Sequence, residues 1–135
     1  MIVIKTSDFS VDEAVSKIKN ETTGAVVTFV GTVRGTSKGG KVSALKIEAY
    51  DQMALEKLRE LEQNAKKKFG ITDILIVHRI GDLAVKDNIV LVAVSSAHRK
   101  EAFDACEYLI DELKKIVPVW KKEIREDGSF WAEEK

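Results

Sequence analysis

The stretch IVLVAVSSAHRKEAF, residues 89–103, decides the fold, because an apolar run passes directly into a helical pattern. Residues 89–96 predict a buried strand. Residues 97–117 carry apolar side chains at helical spacing and predict the longest helix of the chain, which Pro118 ends. The two segments together indicate a domain that contains both a sheet and helices. The apolar stripe of the helix comprises Ala102, Phe103, Cys106, Leu109, Ile110, Leu113 and Val117.

Segments on the N-terminal side of this stretch predict four more strands. Residues 2–5 can start a strand, and the β-branched run at 24–30 predicts a central strand. Residues 43–50 alternate between apolar and charged side chains, which predicts a half-buried strand. Residues 71–81 predict a further strand. LAVKDN, residues 83–88, then predicts a turn into the buried strand that follows.

Two other helices and a hairpin complete the pattern. SVDE at residues 10–13 is typical of a capping box at the start of a short amphipathic helix. Residues 53–69 predict a second helix, with Gly70 as its C-cap. The dipeptide DG at residues 127–128 predicts a C-terminal β-hairpin. The order of these elements predicts a single α+β domain over residues 1–135, with a mixed or largely antiparallel sheet and three main helices.

The composition excludes several classes of protein. The chain has 135 residues, and its 22 Lys and Arg against 22 Asp and Glu lack the basic excess typical of nucleic-acid-binding proteins. Its one cysteine, Cys106, allows no internal disulfide. The N-terminus does not look like a signal peptide, and no apolar run is long enough to cross a bilayer. We therefore expect a cytoplasmic protein with no membrane partner.

The glycine-rich loop at about 35–41 invites comparison with phosphate-binding loops. GTSKGGKV, residues 35–42, departs from the P-loop pattern, because Val42 has no hydroxyl for a metal and a strand follows instead of a helix. A surface hairpin loop is the favoured interpretation. A phosphate-binding or NTP-using enzyme is an alternative that a failure to bind ATP would remove. Unlike the other residues of this segment, Arg34 lies just after the end of a predicted buried strand, where ligand-facing side chains often lie.

His98 and Arg99 lie where the longest helix begins. Ser95 or Ser96 can cap that helix, which places both residues near its first turn. The free N–H groups and partial positive charge of a helix start suit an anion, whereas a cation such as Arg99 opposes the macrodipole. Two interpretations stay open, namely an anion-binding site and a solvated helix start whose cation points away.

The other histidine and the cysteine are predicted to be structural. His78 lies inside an apolar strand, and we expect a buried side chain with a hydrogen-bond partner. No second histidine or carboxylate stands at metal-ligand spacing, so no metal site is predicted. Cys106 lies in the apolar stripe of the longest helix, and we expect a small buried hydrophobe rather than a nucleophile.

Two lysines near the end of the longest helix are candidates for a shared pocket. On a helical projection Lys114 lies at the edge of the apolar stripe, whereas Lys115 lies nearly opposite, in solvent. Lys121 follows on the next strand and points away from Trp120. Lys114 and Lys121 can therefore converge, and lysines in a pocket can act as acid, base or nucleophile. The simpler interpretation is that Lys114 only extends along apolar surface towards water.

Motifs along nearly the whole chain carry a resemblance to a known family. They are FVGTVRG (29–35), IEAY (47–50), MA (53–54), HRIG (78–81), VAVSSAHRKEAF (92–103), DELKKIVPVWKKE (111–123) and GSFW (128–131). With these motifs in order, the chain resembles the large, catalytic subunit of molybdopterin synthase. It departs from the family pattern at GTSKGG, residues 35–40, and at Asp51, where the family often has an asparagine-containing stretch and a proline.

The resemblance implies an α/β-hammerhead fold and an enzyme of molybdenum cofactor biosynthesis. The implied activity is that of a sulfurtransferase, which converts cyclic pyranopterin monophosphate (precursor Z) to molybdopterin by installing two dithiolene sulfurs. The sulfur would come from the C-terminal thiocarboxylate of a small ubiquitin-like carrier subunit, so no metal or other cofactor is implied. The family forms a homodimer core within a heterotetramer. The alternative is a binding module that docks the carrier tail without chemistry, and the presence of both Lys114 and Lys121 speaks against it.

The resemblance also implies which residues form the site. The two important lysines of the family fall on Lys114 and Lys121, which are expected to be catalytic. The residues implied to bind substrate are Thr32, Val33, Arg34, His98, Arg99, Lys122 and Glu123.

The length of the longest helix adds a prediction about subunits. About sixteen residues separate His98 from Lys114, which is roughly 24 Å along a helix axis and too far for one small pterin to span. We therefore predict a composite site, with Lys114 and Lys121 from one subunit and His98 and Arg99 from its partner. Arg34 is assignable to either subunit.

Overall fold

The computed structural model describes residues 1–37, 40–48, 52–116 and 121–125, and the backbone of 128–131. Within these ranges the helices are α1 Val11–Ile18, α2 Gln52–Phe69 and α3 Arg99–Ile116. The strands are β1 Ile2–Lys5, β2 Ala25–Thr32, β3 Thr36–Ser37, β4 Gly40–Ile47, β5 Asp73–Arg79, β6 Gly81–Ala84, β7 Asn88–Ser96, β8 Lys121–Arg125 and β9 Gly128–Trp131. The predicted helix end at Pro118, the orientation of Trp120, the departure at Asp51 and the hairpin residue Asp127 lie outside the described residues.

The described strands form two sheets. The first sheet has the order β1-β5-β7-β2, in which β1 and β5 run parallel and the other pairs run antiparallel. The second sheet has the order β3-β4-β8-β9, with β6 also paired to β4, and all of its pairs are antiparallel. The predicted α+β class, the mixed sheet and the C-terminal hairpin are confirmed.

Helices cover both faces of the four-stranded sheet, because its central strands are apolar on both sides. On one face, side chains such as Ile74 and Val92 pack into a core with α2 and α3. On the other face, Leu75 and Leu91 pack against Ala14 of α1. Strand β7 is therefore buried along almost its whole length, which confirms the buried strand predicted there.

Local sequence signals place two of the helix ends. The Ser10 hydroxyl accepts a hydrogen bond from the backbone N–H of Glu13 at 3.2 Å, which caps the start of α1. Gly70 follows α2 with φ +63°, and its N–H donates to the Lys66 carbonyl at 3.0 Å. Glycine adopts this left-handed conformation without a Cβ clash, so the predicted C-cap is confirmed.

Strand β2 lies at the edge of its sheet, so the prediction of a central strand at 24–30 is wrong. Among the described strands, β2 pairs with β7 alone, and the central positions belong to β5 and β7. Alternate side chains of β2, at Thr28, Val30 and Thr32, are exposed. β-branched residues favour strands at edge and centre alike, so composition cannot place a strand within a sheet.

The turn after β5 is shorter than LAVKDN predicts. Gly81–Ala84 form β6, which pairs with β4 and takes up the first residues of the predicted turn. The chain reverses just beyond, where Lys86 has φ +80° and the Ala84 N–H donates to the Asp87 carboxylate at 2.9 Å. The prediction is wrong at 83–84 because β6 has a strand partner that is distant in sequence.

Phe103 does not belong to the buried side of α3. Its side chain is 60% exposed, whereas Ala102, Ala105 and Leu109 are fully buried. Phe103 lies about 100° around the helix from Ala102, which turns its ring away from the sheet. The prediction of Phe103 as part of the buried stripe is therefore wrong, and Val117 of the same stripe lies outside the described residues.

Candidate active site

A pocket of about 490 Å³ opens where the ends of β2 and α3 meet the start of β8. This volume lies in the range of roughly 300–1,000 Å³ that is usual for small-molecule sites. Its described lining residues are Phe29, Val30, Gly31, Thr32, Arg34, His78, Ile89, Val90, Ile110, Leu113, Lys114 and Lys121.

Three cationic side chains from three parts of the fold line this pocket. Arg34 follows β2, Lys114 lies in the last turn of α3, and Lys121 is the first residue of β8. None of the described lining residues is acidic, so the described part of the pocket wall carries three positive charges and no negative one. A pocket of this kind attracts anions. The structure thus brings Lys114 and Lys121 together, as their spacing predicted, and adds Arg34 of the same chain.

At the end of α3, the side chains of Lys114 and Lys115 point in different directions. Leu113 is buried at 4% exposure, and Lys114 is exposed beside it on the pocket wall. Lys115 points elsewhere and forms an ion pair with Glu112, with 2.6 Å between Nζ and Oε2. That hydrogen bond raises the pKa of Lys115. A cation in the last turn also complements the helix macrodipole, so Lys114 is compatible with local stability as well as with a ligand.

Strand pairing positions Lys121. Its backbone pairs with Ile47 of β4, and Ile47 is buried at 1% exposure. The second sheet therefore anchors the base of Lys121, whose side chain is half-buried at the pocket.

His78 completes the pocket wall. It is 1% exposed, and its Nδ1 lies 2.8 Å from the Arg79 carbonyl oxygen, which confirms the predicted buried histidine with a partner. Burial is the main cause that lowers the pKa of His78 to about 4, so the imidazole is neutral near physiological pH. Sequence reasoning missed its place in the pocket, and the only available signal was a polar residue near the end of an apolar strand.

His98 and Arg99 do not line this pocket. Helix α3 begins at Arg99, so both residues lie at the opposite end of the helix from Lys114, and both are exposed. The expected cap by Ser95 or Ser96 is wrong. Both serines are buried residues of β7 that pair with β2. Because β7 continues to Ser96 and α3 begins at Arg99, neither serine lies directly before the helix.

Thr32 and Val33 have different positions although they are adjacent. Thr32 lines the pocket. Val33 is buried at 4% exposure in the core, so its side chain does not face the pocket. Its N–H donates to the Asp87 carbonyl at 2.9 Å, and its carbonyl accepts from the Lys86 N–H at 2.8 Å. Val33 therefore fixes the backbone from which Arg34 extends.

Lys122 and Glu123 follow Lys121 but are not among the described residues of the pocket wall. Glu123 accepts a hydrogen bond from the Ser37 hydroxyl at 3.0 Å and forms an ion pair with Arg125. These contacts tie β8 to the short strand β3. The substrate contacts implied for Lys122 and Glu123 stay predictions.

The described residues on the two sides of the glycine-rich loop pair as antiparallel strands. Thr36 and Ser37 of β3 pair with Lys41 and Gly40 of β4. A strand follows the loop, so the strand–loop–helix arrangement of a P-loop is absent from this described part of the chain. Lys38 and Gly39 lie outside the described residues.

The described residues give little support for a metal site, a reactive cysteine or a membrane-spanning helix. They contain no group of three or more His, Cys, Asp or Glu side chains that could hold a metal ion. Cys106 is 5% exposed, and burial raises the pKa of its thiol to about 11, which keeps it protonated as expected for a small buried hydrophobe. No helix in the described ranges is both long and apolar enough to cross a membrane.

Comparison with known proteins identifies the family of the chain. Residues 4–116 match the family model described as MoaE protein. The chain belongs to the MoaE family. A molybdopterin synthase catalytic subunit from Pyrococcus abyssi is 46% identical over 132 residues, which cover 98% of this chain and 89% of that protein. The predicted resemblance to the catalytic subunit of molybdopterin synthase is thus confirmed.

Solved structures of MoaE relatives share the fold. The crystal structure of molybdopterin synthase from Staphylococcus aureus superposes with a TM-score of 0.89 at 46% identity, covering 97% of this chain and 96% of that one. A complex of subunits 1 and 2 of molybdopterin-converting factor from Helicobacter pylori matches with a TM-score of 0.77 at 22% identity, covering 99% and 91%. The second likeness shows the fold alone.

Proposed function

We propose that this member of the MoaE family is a sulfurtransferase and that its reaction takes place in the pocket lined by Arg34, Lys114 and Lys121. The observation that carries the proposal is the convergence of these three cations in a pocket with no described acidic lining residue. The substrate is cyclic pyranopterin monophosphate, and the product is molybdopterin with its dithiolene. The phosphate of this substrate suits such a pocket, since guanidinium and ammonium groups are preferred partners of phosphate oxygens.

The sulfur donor is the C-terminal thiocarboxylate of a small ubiquitin-like carrier subunit. This group is an anion, so the lysines that attract the substrate also attract the donor. The relative from Pyrococcus abyssi is named a catalytic subunit, which supports an assembly with a second protein. We place this assembly in the cytoplasm, as a homodimer of the present chain with one carrier bound to each copy.

The chemistry divides between the two lysines. Each transfer forms a bond between sulfur and a substrate carbon, and a carbon–oxygen bond at that carbon breaks, so that the displaced oxygen leaves as water or stays on the phosphate. The bond between sulfur and the acyl carbon of the carrier also breaks. Water adds to that acyl carbon, and the carrier is released with a C-terminal carboxylate. Lys114 stabilises the negative charge that develops at the acyl carbon or moves a proton there, and Lys121 orients the carrier tail or the substrate. This scheme uses no metal and no additional cofactor.

A second copy of the chain supplies His98 and Arg99. Within one chain these residues lie roughly 24 Å along α3 from Lys114, whereas Arg34 lines the same pocket as the lysines. We therefore assign Arg34 to the subunit that provides Lys114 and Lys121. The exposed His98 and Arg99 of the partner subunit then close the phosphate end of the pocket.

The surface of α3 supports such a dimer. In a two-fold dimer with this shared site, the partner's helix must run antiparallel past α3 and cross it midway between residues 98 and 114. Phe103 and Ile110 flank this midpoint seven residues apart, which places them on one face of the helix. Phe103 is 60% exposed, and both residues border a groove of about 340 Å³ beside β2. Phe103 and Ile110 thus supply apolar contacts at the required crossing point, in a groove that Asp104, Glu107 and Asp111 also line.

The test is a turnover assay with purified chain, thiocarboxylated carrier and pterin substrate, read out as dithiolene formation. Lys114→Ala and the neighbouring Lys115→Ala form a matched pair, because Lys115 is exposed, paired with Glu112 and absent from the pocket wall. We expect Lys114→Ala to lose roughly a hundredfold or more in kcat, as for the loss of one charge-stabilising group, and Lys115→Ala to lose little. Equal losses in both variants would contradict the pocket assignment. A wild-type chain that binds carrier without turnover would instead identify a docking module.

A further inference from the structure

The three cations of the pocket lie beside an apolar part of its wall. Within this part, Ile89, Val90 and Leu113 are each at most 9% exposed, so they offer a ligand little surface. Phe29 is half-buried, and it is the only Phe, Tyr or Trp among the described lining residues. The flat surface that the described wall offers to a ligand ring is therefore the phenyl ring of Phe29.

Gly31 leaves room for this ring. Phe29 and Gly31 lie two residues apart in β2, which places them on the same face of the strand. A Cβ at Gly31 would lie 3.3 Å from Cε2 and 3.7 Å from Cζ of the Phe29 ring, and 2.9 Å from Cγ1 of Val90. The ring thus lies across Gly31, beside the space that a larger residue would fill. Glycine inside a strand often marks a place where a ligand or another backbone approaches closely.

The pairing of β2 with β7 is irregular at the same place. Gly31 pairs with Val90, and the next residue, Thr32, pairs with Asn88. Ile89 is therefore an extra residue in β7, and a bulge of this kind re-aims the side chains around it. Ile89 and Val90 share one core cluster and both line the pocket, although neighbours in a regular strand face opposite sides. The bulge thus builds up the apolar part of the wall.

We propose that the Phe29 ring is the platform on which the planar pterin ring of the substrate stacks, and that Gly31 keeps this platform open. The inference rests on the proposed function, because it names the residues that recognise the ring of that substrate. Offset stacking on a phenyl ring suits a flat heterocycle. The cations hold the phosphate, so Phe29 selects for the ring rather than for the anion.

Binding of the substrate without carrier separates this role from the chemistry, since no sulfur is then available for transfer. We expect Phe29→Leu to weaken binding of cyclic pyranopterin monophosphate roughly two- to tenfold in calorimetry, as for the loss of one aromatic contact. Binding of inorganic phosphate should stay unchanged, because the cations remain. Any other pattern of the two affinities would overturn the platform.

Gly31→Ala tests the space beside the ring. Its new methyl group must displace the Phe29 ring or Val90, so we expect the same selective loss of affinity for the pterin. Gly35→Ala is the matched control, because its new Cβ lies 3.5 Å from a methyl carbon of Val85, which is an ordinary contact. It should bind both ligands as the wild type does. Undiminished pterin binding by Gly31→Ala would contradict the role of Gly31.

A measurement on the unsubstituted chain distinguishes failure of this inference from failure of the proposed function. The chain has five Phe residues, and after labelling with fluorophenylalanine the ¹⁹F resonance that is missing from Phe29→Leu belongs to Phe29. The pterin substrate should move this resonance, and inorganic phosphate should leave it nearly unmoved. Substrate that binds without moving it would overturn the platform alone. Substrate that fails to bind the wild type would overturn the proposed function and the platform with it.

Discussion

Acidification should destabilise the folded chain through His78. Burial, reinforced by the positive charge of Lys121, lowers the pKa of His78 from 6.5 to about 4, while the hydrogen bond to the Arg79 carbonyl acts in the opposite direction. The unfolded chain therefore binds a proton at a higher pH than the folded chain. The stabilisation is fully present above pH 6.5 and is lost as the pH falls through the folded value near 4.

The size of the effect follows from the shift. One pKa unit corresponds to about 1.4 kcal/mol, so a shift from 6.5 to about 4 corresponds to about 3 kcal/mol of unfolding free energy lost across that window. The loss approaches about 1.4 kcal/mol per pH unit in the middle of the window. Asp8, whose pKa is lowered chiefly by its hydrogen bond with Asn88, loses its contribution only below its ordinary value of 3.8.

Urea denaturation of the wild type and of His78→Gln, at several pH values between 6.5 and 4, measures the effect directly. The substituted side chain does not titrate in this window. Between pH 6.5 and about 4, the unfolding free energy of the wild type should fall by about 3 kcal/mol more than that of His78→Gln. This difference does not depend on how stable the variant is at neutral pH. Parallel pH curves for the two proteins would refute the account of a buried neutral histidine.

Three further predictions concern the fold and are measured as changes in the free energy of unfolding by chemical denaturation. A Cβ at Gly24 would overlap the carbonyl oxygen of Ala97, so Gly24→Ala should cost at least about 1–3 kcal/mol. Gly35→Ala, whose new Cβ meets only ordinary contacts, should cost much less, and equal costs would contradict the close approach at Gly24. Leu109→Ala removes a fully buried side chain and should cost about 2–5 kcal/mol; a cost below about 1 kcal/mol would contradict its place in the core. Ser10→Ala removes the cap of α1 and should cost about 1 kcal/mol, and no change would contradict the capping hydrogen bond.

Local patterns predicted most of the elements because their causes are local. The alternation around Leu45 and Ile47 placed the buried face of β4, and Gly70 marked the end of α2. Pairing between distant segments carries no comparable signal. The edge position of β2 depends on which strands lie beside it, and β6 exists because β4 lies beside it.

The candidate site shows the same difference between features with local causes and features that depend on distant segments. Lys114 and Lys121 converge on one pocket because a helix end and the next strand are close in sequence, and their spacing predicted this. The participation of His78 depends on the approach of β5 to the ends of β2 and α3, which are distant in sequence. His98 and Arg99 lie at the far end of α3, and helix length alone separated them from the lysines.

The shared site between two copies is tested most directly by mixing two inactive variants. Lys114→Ala and His98→Ala chains are unfolded and refolded together, and dithiolene formation is measured with substrate and thiocarboxylated carrier. Random pairing makes about half of the dimers mixed, each with one intact pocket of two, so we predict recovery of up to about a quarter of wild-type activity. No recovery, in a sample where mixed dimers are demonstrated and the wild type is active, would place the whole site in one chain and contradict the account.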